Sequence, residues 1–448
     1  MMFTSLRIPM TMKHLLFTLL VFSPALHGQA TADPGVLAEA LRIKAIDNHS
    51  HPPKLVVPGE RDDDFDALPC DPISQMDAPF QTRPENPQFL KAWKALWSYP
   101  YNDLAPVHVK TVIAAKQKTK EQQGDNYANW VLDQIGIQTQ FANRVAMGRG
   151  LQPPHFRWVP FDDPLLFPGA GLQPSSPDRE YFYPRERQLL KRYMDELGIA
   201  AIPANLDEYK SRVVTPVLER QRKSGAVAIK FEAAYLRSLD FGAADSTSGD
   251  VATVYRVAVA SGVSSDQDYL HLQNHLLRYI VSEAGRLGMP VHFHTGGGCG
   301  SYFDLPGSDP ALLSSLIDDP KFRKTIFVLV HGGAQTFSKE VSYLLSKPNV
   351  YADMSEQTAL LSARALSVVL RDWLEWYPDK VLYGTDLAPG PPEFDWEEVG
   401  WVENQTARQA LAIGLTGMMS DGEISREQAS KILHLVLHDT AARLYSLP

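Results

Sequence analysis

The 448-residue sequence predicts an α/β fold, a (β/α)8 TIM-type barrel with a long insertion after its first strand. Three observations predict it. Eight short apolar runs alternate with helical patterns from residue 43 onward. The later runs are apolar throughout, as expected of parallel strands buried on both faces. No Gly-x-Gly-x-x-Gly follows the first run, which argues against an open dinucleotide-binding sheet.

Residues 43–46 read as the first strand, running into His49 and His51 before Pro52 and Pro53 stop regular pairing. Residues 52–125 read as an insertion covering the mouth. It opens with an irregular Pro- and Asp-rich stretch and carries helices at 89–97 and 107–122. A helix at 126–135 ends at Gly136. Strands at 137–146 and 156–161 follow, then a Pro-rich aromatic loop at 164–184 and helices at 187–197 and 206–223. From there the alternation is regular. Strands at 226–232, 290–295, 326–331, 350–354 and 381–384 are separated by helices at 266–287, 310–323, 338–346 and 358–376, and helices at 401–416 and 425–447 follow.

Unusual polar residues fall at the C-terminal ends of these strands: His49 and His51 on the first, Lys230 on the fourth, His294 on the fifth, His331 on the sixth and Asp386 on the eighth. A single histidine ending a strand is more often a hydrogen-bonded structural residue. In a barrel, however, all those ends meet at one mouth. Neutral imidazole is the commonest side-chain metal ligand, so the set predicts a metal site with an open position for water. Asp386 can touch the ion and take the water's proton, and His331 can polarise a carbonyl. Lys230, between Ile229 and Phe231, needs a partner such as Glu232 or Asp386, or a role at the metal. His292, one layer below His294, reads as a supporting residue.

The stretches 228–237 (AIKFEAAYLR), 291–298 (VHFHTGGG), 329–333 (LVHGG) and 381–386 (VLYGTD) resemble the amidohydrolase superfamily. More closely, they resemble the amidohydrolase-2 group and its nodulin/FluG-type domains. The resemblance implies a divalent metal, zinc first, and hydrolysis of C–N bonds by attack of an activated water. It implies metal ligands His49, His51, His294 and Asp386, with one ion favoured. A second ion would add Lys230, carbamylated, and His331. Decarboxylation and sugar-acid isomerisation are alternatives on the same scaffold, and a non-catalytic metal- or ligand-binding barrel is another. Three features depart from the group: the long insertion, the Tyr235-x-Arg237 order, and the His438-Asp-Thr-Ala segment. The glycines of residues 295–300, with Tyr235 and Arg237, predict a site for a substrate carboxylate, centred on Gly297 and Gly298.

Residues 12–30 carry a basic, apolar and then small-residue pattern, which predicts a signal peptide over residues 1–30 and a periplasmic or secreted barrel over 31–448. The formal net charge of −9, with no basic cluster, argues against nucleic acid, and a small-molecule substrate and a homo-oligomer are the expected partners. After leader removal no stretch is apolar enough for a membrane span. The two cysteines, Cys70 and Cys299, lie in loops leaving the same mouth, so a bridge between them is geometrically possible and two free thiols are the alternative.

Overall fold

The computed structural model describes residues 31–447 except 58, 170–171, 243–249 and 263–264. The leader expected over residues 1–30 lies outside the described residues. Among the described residues there are eight strands: β1 (Ala45–Ser50), β2 (Ile137–Asn143), β3 (Phe156–Val159), β4 (Ile229–Phe231), β5 (Val291–His294), β6 (Phe327–Val330), β7 (Val350–Asp353) and β8 (Val381–Leu382). They pair in chain order and in parallel, as β1-β2-β3 and β4-β5-β6-β7-β8. Parallel bridges Trp158–Ala226 and Phe161–Lys230 join β3 to β4. Across β8 and β1, the Asn48 amide donates to Tyr383 O (2.9 Å), Asp386 to His49 O (2.8 Å) and His51 to Leu387 O (2.8 Å). Both joins between the two sheets are therefore spanned by backbone hydrogen bonds, and the strand ends face one region.

Ile46, Phe141, Val159, Ala228, Val328 and Leu382 form one apolar cluster with Tyr445. The Tyr445 hydroxyl donates to Asn48 Oδ1 (2.6 Å) and meets His292 Nε2 at 2.7 Å, which gives His292 its supporting role. Phe231, Phe293 and Leu329 belong instead to the main core against the surrounding helices.

Several boundaries differ from expectation. The first strand extends through Ser50, with His49 buried within it and His51 buried just past its end. The loop expected at 164–184 gives way to a helix, Pro177–Glu196, that Ser176 caps and Pro177 opens. Pro184 stands inside that helix, where it removes one donor. Pro310 and Pro320 reset the helix expected at 310–323 into short turns. The helix expected at 358–376 divides into Gln357–Leu360 and Ala363–Leu374.

The insertion covers the mouth only with its first part. Its helices, Pro87–Trp97 and Pro106–Gln123, pack on the flank against the helix Trp396–Ser420. There Trp97 Nε1 donates to Glu398 Oε1 (2.5 Å), and the Lys116 ammonium lies 2.7 Å from Glu398 and 3.2 Å from Glu397. These buried contacts join both helices to the flank. A disulfide, Cys70–Cys299, with its Cα atoms 6.0 Å apart, ties the remaining loop to the segment after β5.

Candidate metal centre

β1 brings His49 and His51 to the mouth, and the turn after β8 brings Asp386. Asp386 Oδ1 lies 3.1 Å from His49 Nε2 and 3.6 Å from His51 Nε2. Ligand atoms of the three residues fall within 4.8 Å of one another. Asp47 fixes this corner by accepting from the Thr385 amide (2.9 Å), Thr385 Oγ1 (2.6 Å) and Gln140 Nε2 (2.8 Å), linking β1 to β2 and to the end of β8. Burial holds the His49 pKa well below its ordinary value and His51 at about 4, so both imidazoles are neutral and carry a ligand lone pair. Burial, with Glu356 adding like charge, raises the Asp386 carboxyl well above the ordinary range.

The second half of the mouth comes from β5 to β7. His294 Nε2 donates to Gly297 O at 2.6 Å, which leaves the lone pair on Nδ1. Ser355 Oγ donates to Asp353 Oδ1 (2.5 Å) and so accepts from His331 Nδ1 (2.9 Å), leaving His331 its lone pair on Nε2. These tautomers, assigned from the hydrogen-bond network, set two lone pairs face to face across 3.1 Å. A proton or a metal cation between them relieves the repulsion. Burial holds both histidines well below their ordinary pKa, which disfavours the proton. The donor chemistry therefore fits a divalent ion at both halves of the mouth. His294 lies with His331 and outside the His49–His51–Asp386 group.

Lys230 is fully buried, and its ammonium lies 3.4 Å from His49 Nε2. The ion pair expected with Glu232 or Asp386 is not formed, so Lys230 stands between the two halves with an imidazole as its polar neighbour. Backbone strain marks the same place. Three non-glycine residues at successive strand ends have positive φ: His331 (65°), Glu356 (60°) and Asp386 (76°).

A cavity of about 230 Å³ opens on the site, with His51, His294, His331, Asp386, Tyr235 and Glu232 among its walls. A larger cavity of about 680 Å³, lined by Leu374, Pro378, Met418 and Ile432, touches none of the strand-end residues. Tyr235 stands where expected, its ring 4.7 Å from that of His294 and its hydroxyl accepting from the Cys299 amide. Arg237 is not brought to the site. Its guanidinium donates to Ser238 O, Leu270 O, Gln273 Oε1 and Asp240 O, and burial lowers its pKa to about 9. Gly297 serves by accepting from His294, and a Cβ on Gly298 would strike Phe303 at 2.5 Å. Neither glycine lines the cavity. Sequence reasoning missed Asp66, Asp353, Ser355 and Glu356, and named Glu232 only as a partner for Lys230. Glu232 had a signal, lying two residues past Lys230 at the same strand end.

Eight parallel strands paired in chain order, with a candidate metal-binding constellation at their C-terminal ends, define a protein of the TIM-barrel class. The chain belongs to the amidohydrolase family, whose model matches residues 219–447, half of the sequence. Protein fluG of Emericella nidulans is 32% identical over 160 residues, which is 35% of this chain and only 17% of that protein's length. Solved structures share the fold at low identity. A Lactobacillus casei protein described as a metal-dependent hydrolase is 15% identical, with a TM-score of 0.56 over 93% of this chain and 98% of that one. Glucuronate isomerase of Caulobacter crescentus is 11% identical, with a TM-score of 0.56 over 94% and 96%. Uronate isomerase of Thermotoga maritima is 11% identical, with a TM-score of 0.53 over 92% and 96%.

Proposed function

We propose that the chain is an exported metal-dependent hydrolase that cleaves a C–N bond of amide type in a small molecule. The observation that carries this is the gathering of His49, His51 and Asp386 within 4.8 Å, opposite the lone pairs of His294 and His331. Zinc suits histidine and carboxylate donors, as do manganese and iron. His49, His51 and Asp386 would hold one ion. The expectation of a single ion that also recruits His294 fits less well, because His294 pairs with His331, and those two would hold a second. Lys230, with no carboxylate partner, suits carbamylation between them. A divalent ion held by these residues would lower the pKa of a bound water and polarise the scissile carbonyl.

Asp386, its carboxyl raised by burial, accepts the water's proton and returns it to the leaving nitrogen. Tyr235 and the loop carrying Cys70 wall the substrate from solvent. The Cys70–Cys299 bridge supports export to an oxidising compartment.

Elemental analysis of metal-replete protein, followed by turnover of a panel of amides and dipeptides, tests this. Asp386→Asn should keep the fold and lose activity by roughly 10²–10⁴-fold. Full activity in chelator would overturn the proposal, and turnover of uronates with no amide cleavage would replace hydrolysis by isomerisation.

A further inference from the structure

The cavity is lined by four carboxylates, Asp66, Asp71, Glu232 and Asp386, and among the described residues by no lysine or arginine. Asp386 is engaged with the histidines. Glu232 is not engaged: it is 5% exposed, and its buried Oε2 has no hydrogen-bond partner. Asp66 approaches from the insertion, and one oxygen of each carboxylate lies with a His51 nitrogen inside 4.8 Å. Behind them, Asp163 leaves Oδ1 unpartnered and Glu186 leaves both oxygens unpartnered, each residue almost wholly buried. The nearby bases attract these carboxyls through space but form no hydrogen bond with them. Lys230 points its ammonium at His49, and Arg185 donates to Ala67 O and the Tyr181 hydroxyl. A buried carboxylate without a donor is costly, so the pocket is built to receive one.

The geometry points to a cationic substrate: Asp66 and Glu232 receive an ammonium or guanidinium group on the molecule whose amide bond lies at the histidines. This deepens the hydrolase proposal and rests on it. A primary ammonium brings three donors, enough for both carboxylates, in short charge-assisted hydrogen bonds. Phe65 and Tyr235, on the same walls, offer aromatic faces to the charge. A metal ion fits this corner less well. A neutral imidazole has one lone pair, and if His51 gives Nε2 to an ion shared with Asp386, its Nδ1 carries the proton toward Asp66, 3.5 Å away. The carboxylate-binding site expected around Arg237 is replaced by its electrostatic opposite.

Calorimetry on the metal-replete protein with n-butylammonium, n-butylguanidinium, butyrate and 1-butanol tests this without requiring turnover. The two cations should bind at least tenfold tighter than butyrate or butanol. Glu232→Gln, close in shape, should remove most of that preference while the melting curve and the metal content stay unchanged. Butyrate binding as tightly as the cations, or unchanged cation binding in Glu232→Gln, would overturn the inference. So would loss of a tightly held divalent ion in that variant. Cation preference with no amide turned over would remove the hydrolase proposal and leave the pocket's selectivity standing. Amide turnover without cation preference would do the reverse.

Discussion

Ser355→Ala should weaken one half of the metal centre and leave the other alone. In the native protein the serine hydroxyl accepts from His331 Nδ1 at 2.9 Å and donates a hydrogen bond to Asp353 Oδ1. Without it, His331 faces two poor choices. It can keep the proton on Nδ1, buried and without an acceptor, at a cost of about 1–3 kcal/mol. Or it can move the proton to Nε2, where it donates to His294 Nδ1 across 3.1 Å and closes both lone pairs to an ion. Either route should lower affinity for the ion at His294 and His331 by roughly 10–100-fold, about 1.4–2.7 kcal/mol. The turn itself should survive, because Asp353 Oδ1 still accepts from the backbone amides of His331 and residue 355. Chelator competition that resolves two binding steps is the assay. The ion at His49, His51 and Asp386 should keep its affinity. Equal weakening of both steps, or unchanged affinity in both, would refute the division into two donor sets and the tautomers behind it.

Lys116→Met should cost about 3–5 kcal/mol, because it removes the cation nearest both buried Glu397 and Glu398, with Lys120 left only at 3.5 Å from Glu397. Chemical denaturation reads the loss, and a change under 1 kcal/mol would contradict it. Asp162 is fully buried with one oxygen unpartnered, and burial raises its pKa to about 8. The native state then holds a proton that the unfolded state has released, so its contribution to stability falls between about pH 4 and 8, by up to about 1.4 kcal/mol per pH unit. Asp162→Asn should flatten that slope, as urea unfolding at pH 5 and pH 8 would show.

Much of the ring was legible because strands buried on both faces write themselves as apolar runs, and five of the eight runs ended on a residue out of character with them. Lys230, His294, His331 and Asp386 were visible on that ground alone. Asp353 and Ser355 were not, since an acidic residue followed by methionine and serine looks like any strand exit. Their importance arises from the imidazole that folds back onto them. Asp66 was hidden for a different reason: an irregular loop has no period, and its position depends on the Cys70–Cys299 bridge and on the insertion helices being joined to the flank. Arg237 misled because a guanidinium near a mouth reads as a substrate anchor, whereas four nearby acceptors had already captured it.

The join between β8 and β1 has a consequence for how the ring is kept shut. β8 is only Val381–Leu382, and three backbone hydrogen bonds cross to β1. His49 and His51 stand on one side of that join and Asp386 on the other, more than 330 residues away along the chain. An ion gripped by all three is a clasp on the last link of the circle. Its binding energy becomes closure energy for the barrel, at RT ln(1 + [metal]/Kd). Stripping the metal should therefore free the amides of residues 48, 51 and 386 for solvent exchange before those of β5 and β6, so that the chain comes apart first at its candidate metal centre.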